Sequence, residues 1–343
     1  MKNIMPKLKS KSLLCKYLTP DIFNLLKNKK TTNNFTLLQA INSGLVNEDS
    51  NIGVYAGDEE SYSLFAPLLD PIIKEYHEFG SNDKHESNLN INELDISNLD
   101  PTGEFILSTR IRVARNLKNL PLASAISQEQ RLEVEKIVSN VLKNLQGDLK
   151  GTYYPLLGMD KETSRQLIND HFLFKSGDRF LNSAGLNRNW PEGRGIFHNY
   201  EKNFLVWINE EDQLRIISMQ NGGNIGEVFN RLVKAIKSIE KHITFSYNDH
   251  LGYITSCPTN LGTALRASVH IKLPKLSKDM KLFEQIITKY HLQIRGLHGE
   301  HSKDQSGIYD ISNRRRLGIT DIQCVKDMYD GVSALIKKEN SIL

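Results

Sequence analysis

The sequence predicts an α+β fold, in which a small all-helical N-terminal domain precedes a larger domain with an antiparallel β-sheet flanked by helices. Three observations predict it. Apolar residues recur at three- and four-residue spacing from residue 12 to about 90. A polar stretch poor in apolar clusters, GSNDKHESNLNINELDISNLDP, occupies 80–101. Beyond it, alternating β-branched runs come in hairpin order with helical runs segregated between them, which suits an antiparallel sheet better than a doubly wound parallel one. The helical domain is therefore drawn at 1–85, the linker at 86–101 and the α+β domain at 102–343.

The helical expectation rests on SLLCKYL and DIFNLLKN, with Asp21 after Pro20 near a helix start. TLLQAINSGL gives another short helix, which Gly44 should end. The loop NEDSNIGVYAGDEESY follows, then SYSLFAPLLDPIIKEYHEF. Strands are expected in FILSTRIRVAR, NFLVWINEEDQLRIISMQ, LGYITSCP and LRASVHIKL. Helices are expected in QEQRLEVEKIVSNVLKNL, NIGEVFNRLVKAIKSIEKHI, KLFEQIITKY and the final TDIQCVKDMYDGVSALIKKE.

A composition of 39% hydrophobic and 24% charged residues over 343 positions is that of a globular chain whose core needs no disulfide or metal staple. Cys15, Cys257 and Cys324 lie far apart without a CxxC pair, which argues against structural zinc and for a reducing, cytoplasmic setting. The net charge of +4 is too mild to imply nucleic acid. The basic run Arg314, Arg315, Arg316 has no aromatic platform beside it and reads as a solvated or phosphate-facing loop. The basic start MKNIMPKLKSKSLLCKYL lacks the apolar core of a signal peptide and reads as a solvated lead into the first helix, ahead of a transit peptide. No segment nears the roughly 20 apolar residues of a membrane helix, so no membrane partner is expected.

Strand periodicity places several arginines together. Ser108, Arg110 and Arg112 share one face of STRIRV, and Thr109, Ile111 and Val113 share the other. Arg266, Ser268 and His270 repeat the arrangement, Arg215 opens LRIISMQ, and Arg295 lies in LQIRG. Arginines at such positions need anionic partners, and their forked donors suit phosphate oxygens. Structural ion pairs to Asp and Glu are the alternative, and periodicity alone does not choose.

Glu210, Glu211 and Asp212 occupy a tight hairpin loop, either a solvated acidic turn or carboxylates presented to a cationic substrate. Glu300 is a second such carboxylate, in the glycine-rich RGLHGEHSKDQSG, which reads as a mobile loop able to close over a site. Pro258 forces Cys257 to be extended, and the polar residues after it offer donors for a thiolate; buried filler is the plainer reading. A Walker loop, the protein-kinase HRD and DFG set and a GxGxxG fingerprint are all missing from the sequence, and His298 with His301 makes no metal site without further ligands.

CPTNLGT, STRIRVAR, VWINEEDQLRIISMQ, LRASVHIKLPKL, KGTYYPL, DHFLFKSGDRFL, WPEGRGIFHN, RGLHGEH and GIYDISNRRRLG together resemble segments of the phosphagen (ATP:guanidino) kinase family, in the family's order. The resemblance runs from about Leu13 to Lys338. The family's fold is the one expected above. The resemblance implies that Arg110, Arg112, Arg215, Arg266 and Arg295 grip the nucleotide phosphates, with Ser108 and Ser268 beside them. It places His171 and His270 near the adenine and Asp310 near the ribose. Glu211 and Glu300 would hold the guanidinium with the Cys257 thiolate against it, as the catalytic set. Ser50, Asn51, Ile52, Gly53, Val54 and Tyr55 would fit the substrate's amino-acid end, and Asp49 and Arg179 would pair across the domains.

The implied reaction is reversible transfer of the γ-phosphoryl group of MgATP to a guanidino group. ADP and a phosphagen are its products. The loop form and Tyr76 match the arginine-using branch, which makes L-arginine and phosphoarginine the expected pair. Mg2+ would ride on the ATP or ADP phosphates, with no dedicated protein cage. A monomer or homodimer is expected, with no nucleic acid partner. The chain departs from the branch pattern at Asn51, where Gly is usual, at Gly57, where Pro is usual, and at His298, where Arg is usual. Taurocyamine or another guanidino compound is the alternative substrate, and a catalytically weak nucleotide or arginine sensor the alternative class. Relatives that phosphorylate protein arginines resemble only the larger domain.

Overall fold

The computed structural model describes residues 11–174, 176–295 and 307–342. The described residues open with α1 (Leu13–Tyr17), α2 (Pro20–Leu26), α3 (Leu37–Val46), α4 (Glu60–Leu64) and α5 (Ala66–His77). Side chains cap the orphaned first-turn amides: Ser12 accepts from Cys15, Thr19 from Ile22, and Thr36 from Gln39 in a reciprocal capping box. The buried faces of these helices share one core, which continues into Leu251, Ile254, Leu261 and Leu317 from far along the chain. The helical part is thus seated on the rest through apolar contact.

Gly44 does not end α3, contrary to the expectation. The helix runs to Val46, and the Gly44 N–H donates to the Gly53 carbonyl at 3.1 Å. A Cβ on Gly44 would fall 2.6 Å from the Gly53 Cα. This glycine admits a neighbouring backbone and is not a stop signal. Gly57 donates its N–H to the Ser61 hydroxyl at 3.1 Å, a bond that proline could not make.

The polar stretch between the two parts lies against the protein. Leu89, Ile91, Leu94, Ile96 and Leu99 pack on the large core. Ser87 Oγ donates to the Asp321 carboxylate at 2.7 Å. The Asp100 carboxylate accepts from the amides of Phe105 and Ile106 at 2.7 and 2.6 Å and so fixes the start of the first strand.

The remaining elements are β1 (Ile106–Arg115), α6 (Gln128–Lys143), β2 (Gly151–Pro155), α7 (Lys161–Asn169), α8 (Arg179–Ser183), β3 (Gly195–Asn199), β4 (Phe204–Ile208) and β5 (Leu214–Asn221). Then follow α9 (Ile225–Glu240), β6 (Tyr247–Asn248), β7 (Gly252–Tyr253), β8 (Leu265–Lys272), α10 (Met280–Lys289), β9 (Leu292–Arg295), β10 (Ile308–Asn313) and α11 (Asp321–Ser341). Eight strands form one sheet in the order β2-β3-β4-β5-β1-β8-β10-β9, with each neighbouring pair antiparallel. The α+β architecture is as expected. Ile111, Val113, Ile216, Ala267, Val269 and Ile311 point to one side and form the main core with α6, α9, α10 and α11. The other side faces the site.

Two strand expectations need correcting. LGYITSCP supplies only the two-residue β7, because Thr255 to Cys257, although extended, bond to the helical part and to Asp212 rather than to the sheet. Conversely, β2, β3, β9 and β10 were not expected. They are four to six residues long, and β3 is buried on both faces, so it shows no alternation.

Candidate active site

Antiparallel register turns separate arginines into a patch. Arg112 lies opposite Arg266, Arg110 opposite Ser268, and Ser108 opposite His270. Asp310 lies opposite both His270 and Arg295. Arg215 lies opposite Ala114 on one side and Trp207 on the other. Cross-strand partners share a face, so the five expected arginines all project from the side of the sheet away from the main core.

The patch is charged and largely buried. The Arg110 and Arg215 guanidinium groups lie 5.5 and 5.6 Å from the Trp207 ring, whose Nε1 donates to the Phe172 carbonyl at 2.8 Å. Arg215 pairs with Glu210 at 2.7 Å and Glu211 at 2.6 Å. Arg266 donates to both Asp310 oxygens at 2.8 and 2.9 Å. Arg112 pairs with no carboxylate among the described residues. Burial, with Arg266 and Arg215 nearby, pushes Arg110 down to about 10. Burial and the neighbouring Arg215, Arg266 and Arg110 hold Arg112 well below the usual guanidinium range. Burial also lowers Arg215, but the charges of Glu210, Glu211 and Asp212 outweigh it and leave it raised. The patch is an incompletely neutralised cation cluster.

The carboxylate loop is not a solvated turn. Asn209 enters it with φ +57 and bonds Arg131 and Gly193 carbonyls through its side chain, so the loop is pinned to α6 and to the chain before β3. Asp212 is buried and accepts from the Ser256 amide and from Asn116, both at 2.8 Å. Burial, then the Glu211 charge, raises Asp212 to about 6.

Cys257 lies at the head of a short 3-10 helix, Pro258–Asn260, with φ −92 and ψ 126 as a residue before proline requires. Its Sγ is 3.1 Å from the Thr259 hydroxyl. The expected thiolate character is not what its surroundings favour: burial, then Glu211, pushes the thiol up to about 12. Among the described residues no cation pairs with it to offset this. The Asn260 side-chain Nδ2 donates to Glu211 Oε2 at 3.4 Å.

One cavity of about 560 Å³ gathers these groups where the helical part meets the sheet. Arg112, Arg215 and Arg295 line it with Glu210, Glu211 and Cys257. From the helical part come Ser50, Asn51, Ile52, Tyr55 and Tyr76. The amides of Asn51, Ile52 and Gly53 donate to no protein oxygen among the described residues, while the carbonyls of Asn51 and Ile52 are taken by α1. Gly53 and Val54 lie behind the lining. Arg179 Nη1 meets Asp49 Oδ1 at 2.8 Å, the expected bridge between the two parts.

Arg110, Arg266, Ser108, Ser268, His270 and Asp310 share the sheet face but lie outside this lining. The Ser108 hydroxyl and His270 Nδ1 are 3.3 Å apart, and Ser268 donates to the Arg110 carbonyl at 3.3 Å. His171 is exposed just beyond α7 with φ +58. Glu300 and His298 lie outside the described residues. Arg316 was missed. It is 3% exposed, lines the cavity, and donates to the Thr259 carbonyl at 2.9 Å and to Asn260 Oδ1 at 2.5 Å.

The chain matches the N-terminal domain model of the ATP:guanido phosphotransferases over residues 8–74 and their C-terminal catalytic domain model over 133–342. It is 56% identical over 342 residues to an arginine kinase of Anthopleura japonica, covering 98% of this chain and 48% of that one. It is 54% identical over 335 residues to an arginine kinase of Plodia interpunctella, covering 97% and 94%. The substrate-free duplicated taurocyamine kinase of Schistosoma mansoni superposes with a TM-score of 0.93 at 42% identity, over 99% of this chain and 49% of that one. The chain therefore spans about half the length of the Anthopleura and Schistosoma proteins and nearly the whole Plodia protein. With both halves matched in order, this chain belongs to the ATP:guanido phosphotransferase family.

Proposed function

We propose that the chain catalyses reversible transfer of the γ-phosphoryl group of MgATP to the guanidino group of L-arginine, giving ADP and phosphoarginine. The observation that carries the reading is one cavity bounded by guanidinium groups, by a glutamate and cysteine end, and by a backbone loop with unengaged amides. The arginine kinases of Anthopleura and Plodia support the choice of substrate.

Phosphoryl transfer asks a protein for positioning and charge stabilisation. Arg110, Arg112, Arg215, Arg266 and Arg295 hold the polyphosphate, Arg112 first because it has no carboxylate of its own. Glu210, Glu211 and Asp310 keep Arg215 and Arg266 aimed. These acids are engaged by arginines, so the face fits a polyphosphate that brings its own Mg2+, whose charge neutralises the phosphate oxygens. Ser108, Ser268, His171, His270 and Asp310 are proposed for the nucleoside end.

Glu211 and Glu300 pin the planar guanidinium and aim one nitrogen in line with the γ-phosphorus. As the N–P bond forms and the bond to ADP breaks, the nitrogen's proton passes to a carboxylate of this pair. The guanidinium of the bound substrate, seated beside Cys257, opposes the burial that otherwise keeps its thiol protonated. The amides of Asn51, Ile52 and Gly53 receive the substrate carboxylate.

The test is kcat/KM for arginine, taurocyamine, lombricine and creatine, with ATP in a coupled assay. Arginine is expected to lead. A higher value for any of the other three overturns the substrate, and no turnover on any overturns the enzyme reading.

A further inference from the structure

The segment from Thr255 to Pro258 presents four consecutive carbonyls, and each is held. Tyr62 donates its hydroxyl to Thr255 O at 2.7 Å, and the Ala56 amide donates to Ser256 O at 2.7 Å. Cys257 O accepts from Thr255 Oγ1 at 2.9 Å and from the Asn260 amide at 3.0 Å. Pro258 O accepts from His77 Nε2 at 2.9 Å. Three of the four carbonyls are thus gripped from the helical part, and His77 is the last residue of α5.

His77 is 8% exposed, and its Nδ1 is buried with no partner among the described residues. A carbonyl only accepts, so Nε2 carries the proton and Nδ1 is bare. Burial pushes the ring down to about 4, which keeps it a neutral donor at neutral pH. The other donor to Pro258 O is the Leu261 amide, at a longer 3.3 Å. The bond from His77 is therefore the closer tie on the turn. Thr259, 3.1 Å from the thiol, and Asn260, which reaches Glu211, hang from that same turn. Tyr76, the neighbour of His77, lines the cavity.

We propose that His77 is a positioning residue for the guanidino end of the site: its hydrogen bond to the Pro258 carbonyl fixes the turn that aims Cys257, Thr259 and Asn260 into the cavity. The placement of α5 is thereby passed to the thiol. What the thiol meets there rests on the function proposed above; where the thiol sits does not.

The test uses the full chain with His77→Leu, which removes the donor, and His77→Gln, whose amide nitrogen takes the place of Nε2. Labelling of Cys257 by iodoacetamide at fixed pH is followed by mass mapping, which needs no turnover. His77→Leu is expected to raise the labelling rate and the KM for arginine by about threefold or more, the factor that one lost hydrogen bond of ordinary net worth gives. The KM for ATP should hold, and His77→Gln should restore both quantities. Unchanged labelling in His77→Leu, or a His77→Gln that behaves like Leu, overturns the proposal. Should His77→Leu fail to fold, His77→Gln against the shorter His77→Asn decides, and equal labelling in those two overturns it. Altered labelling in a protein inactive on every guanidino compound sinks the function reading and leaves this one standing.

Discussion

The two faces of the eight-stranded sheet are built from alternate residues of the same strands and do opposite things. On β1, Ile111 and Val113 are fully buried against the helices, while Arg110 and Arg112, which alternate with them, turn to the other side. On β8, Ala267 and Val269 alternate in the same way with Arg266, Ser268 and His270. A face backed by helices supplies cohesion. The opposite face can then carry a cluster of like charges that no folding argument would choose. The period of two lets one strand serve both tasks, and it also locks them together, since a one-residue slip would exchange the faces.

The sharpest way to break this division is to cross it with substitutions. Arg266→Ala should lower kcat by roughly 10³-fold or more while the chain still unfolds cooperatively, the loss expected of one charge-stabilising group. Near-normal turnover of the purified variant sinks its role. Ile111→Ala, one residue from Arg110 but on the helix side, should cost about 2–5 kcal/mol of stability by denaturant titration, with kcat of the folded protein retained. A stable but inactive Ile111→Ala would mean that the faces are not separable.

Asp212 sharpens the boundary between them. Its carboxyl is raised to about 6, above the unfolded value of 3.8, so the folded form binds more protons between these values. Its contribution is therefore present at low pH and is lost as pH rises through about 6, by up to about 3 kcal/mol for a shift of this size. Asp212→Asn should flatten that part of the stability profile, and an unaltered pH slope between 4 and 6 would refute the assignment. The smallest effect belongs to Asp49→Ala. Arg179 and Asp49 are about half exposed, so removing the pair should shift the denaturation midpoint little, and less still in high salt.

The same contrast explains what the sequence discloses. β1 and β8 are legible because one face is apolar and the other polar, so their alternation is clean. β3, GIFHN, is covered on both sides and offers no alternation to find. The arginine patch was visible strand by strand, but only the pairing register joins Arg112 to Arg266 and Asp310 to Arg295. Arg316 stood in a triple-arginine run that reads as a solvated or phosphate-facing loop, with nothing to single out one of the three. Arg314 is indeed exposed and Arg315 pairs with Asp327, so only the third residue turns inward. Gly44 carries the residue type of a helix end, yet it serves a contact with Gly53, nine residues on, that no local pattern records. Burial of Cys257 was the plainer sequence reading, but the added push of Glu211 on its thiol was not legible, because the motif around it shows donors and not the carboxylate that the fold brings beside it.

Arg112, crowded by three other guanidinium groups and with no carboxylate paired to it among the described residues, gives this face a standing demand for anions. Any multivalent oxyanion in the buffer that fills the patch binds the folded chain and not the unfolded one, and so stabilises it through mass action, by about 2.7 kcal/mol at a hundred times its dissociation constant, which raises the melting temperature. On the function proposed above, sulfate or phosphate in a storage buffer would stand in for the nucleotide's phosphates. Melting curves of variants on this face are comparable only when taken in the same salt, since a substitution that thins the charge cluster also weakens the hold on that silent ligand.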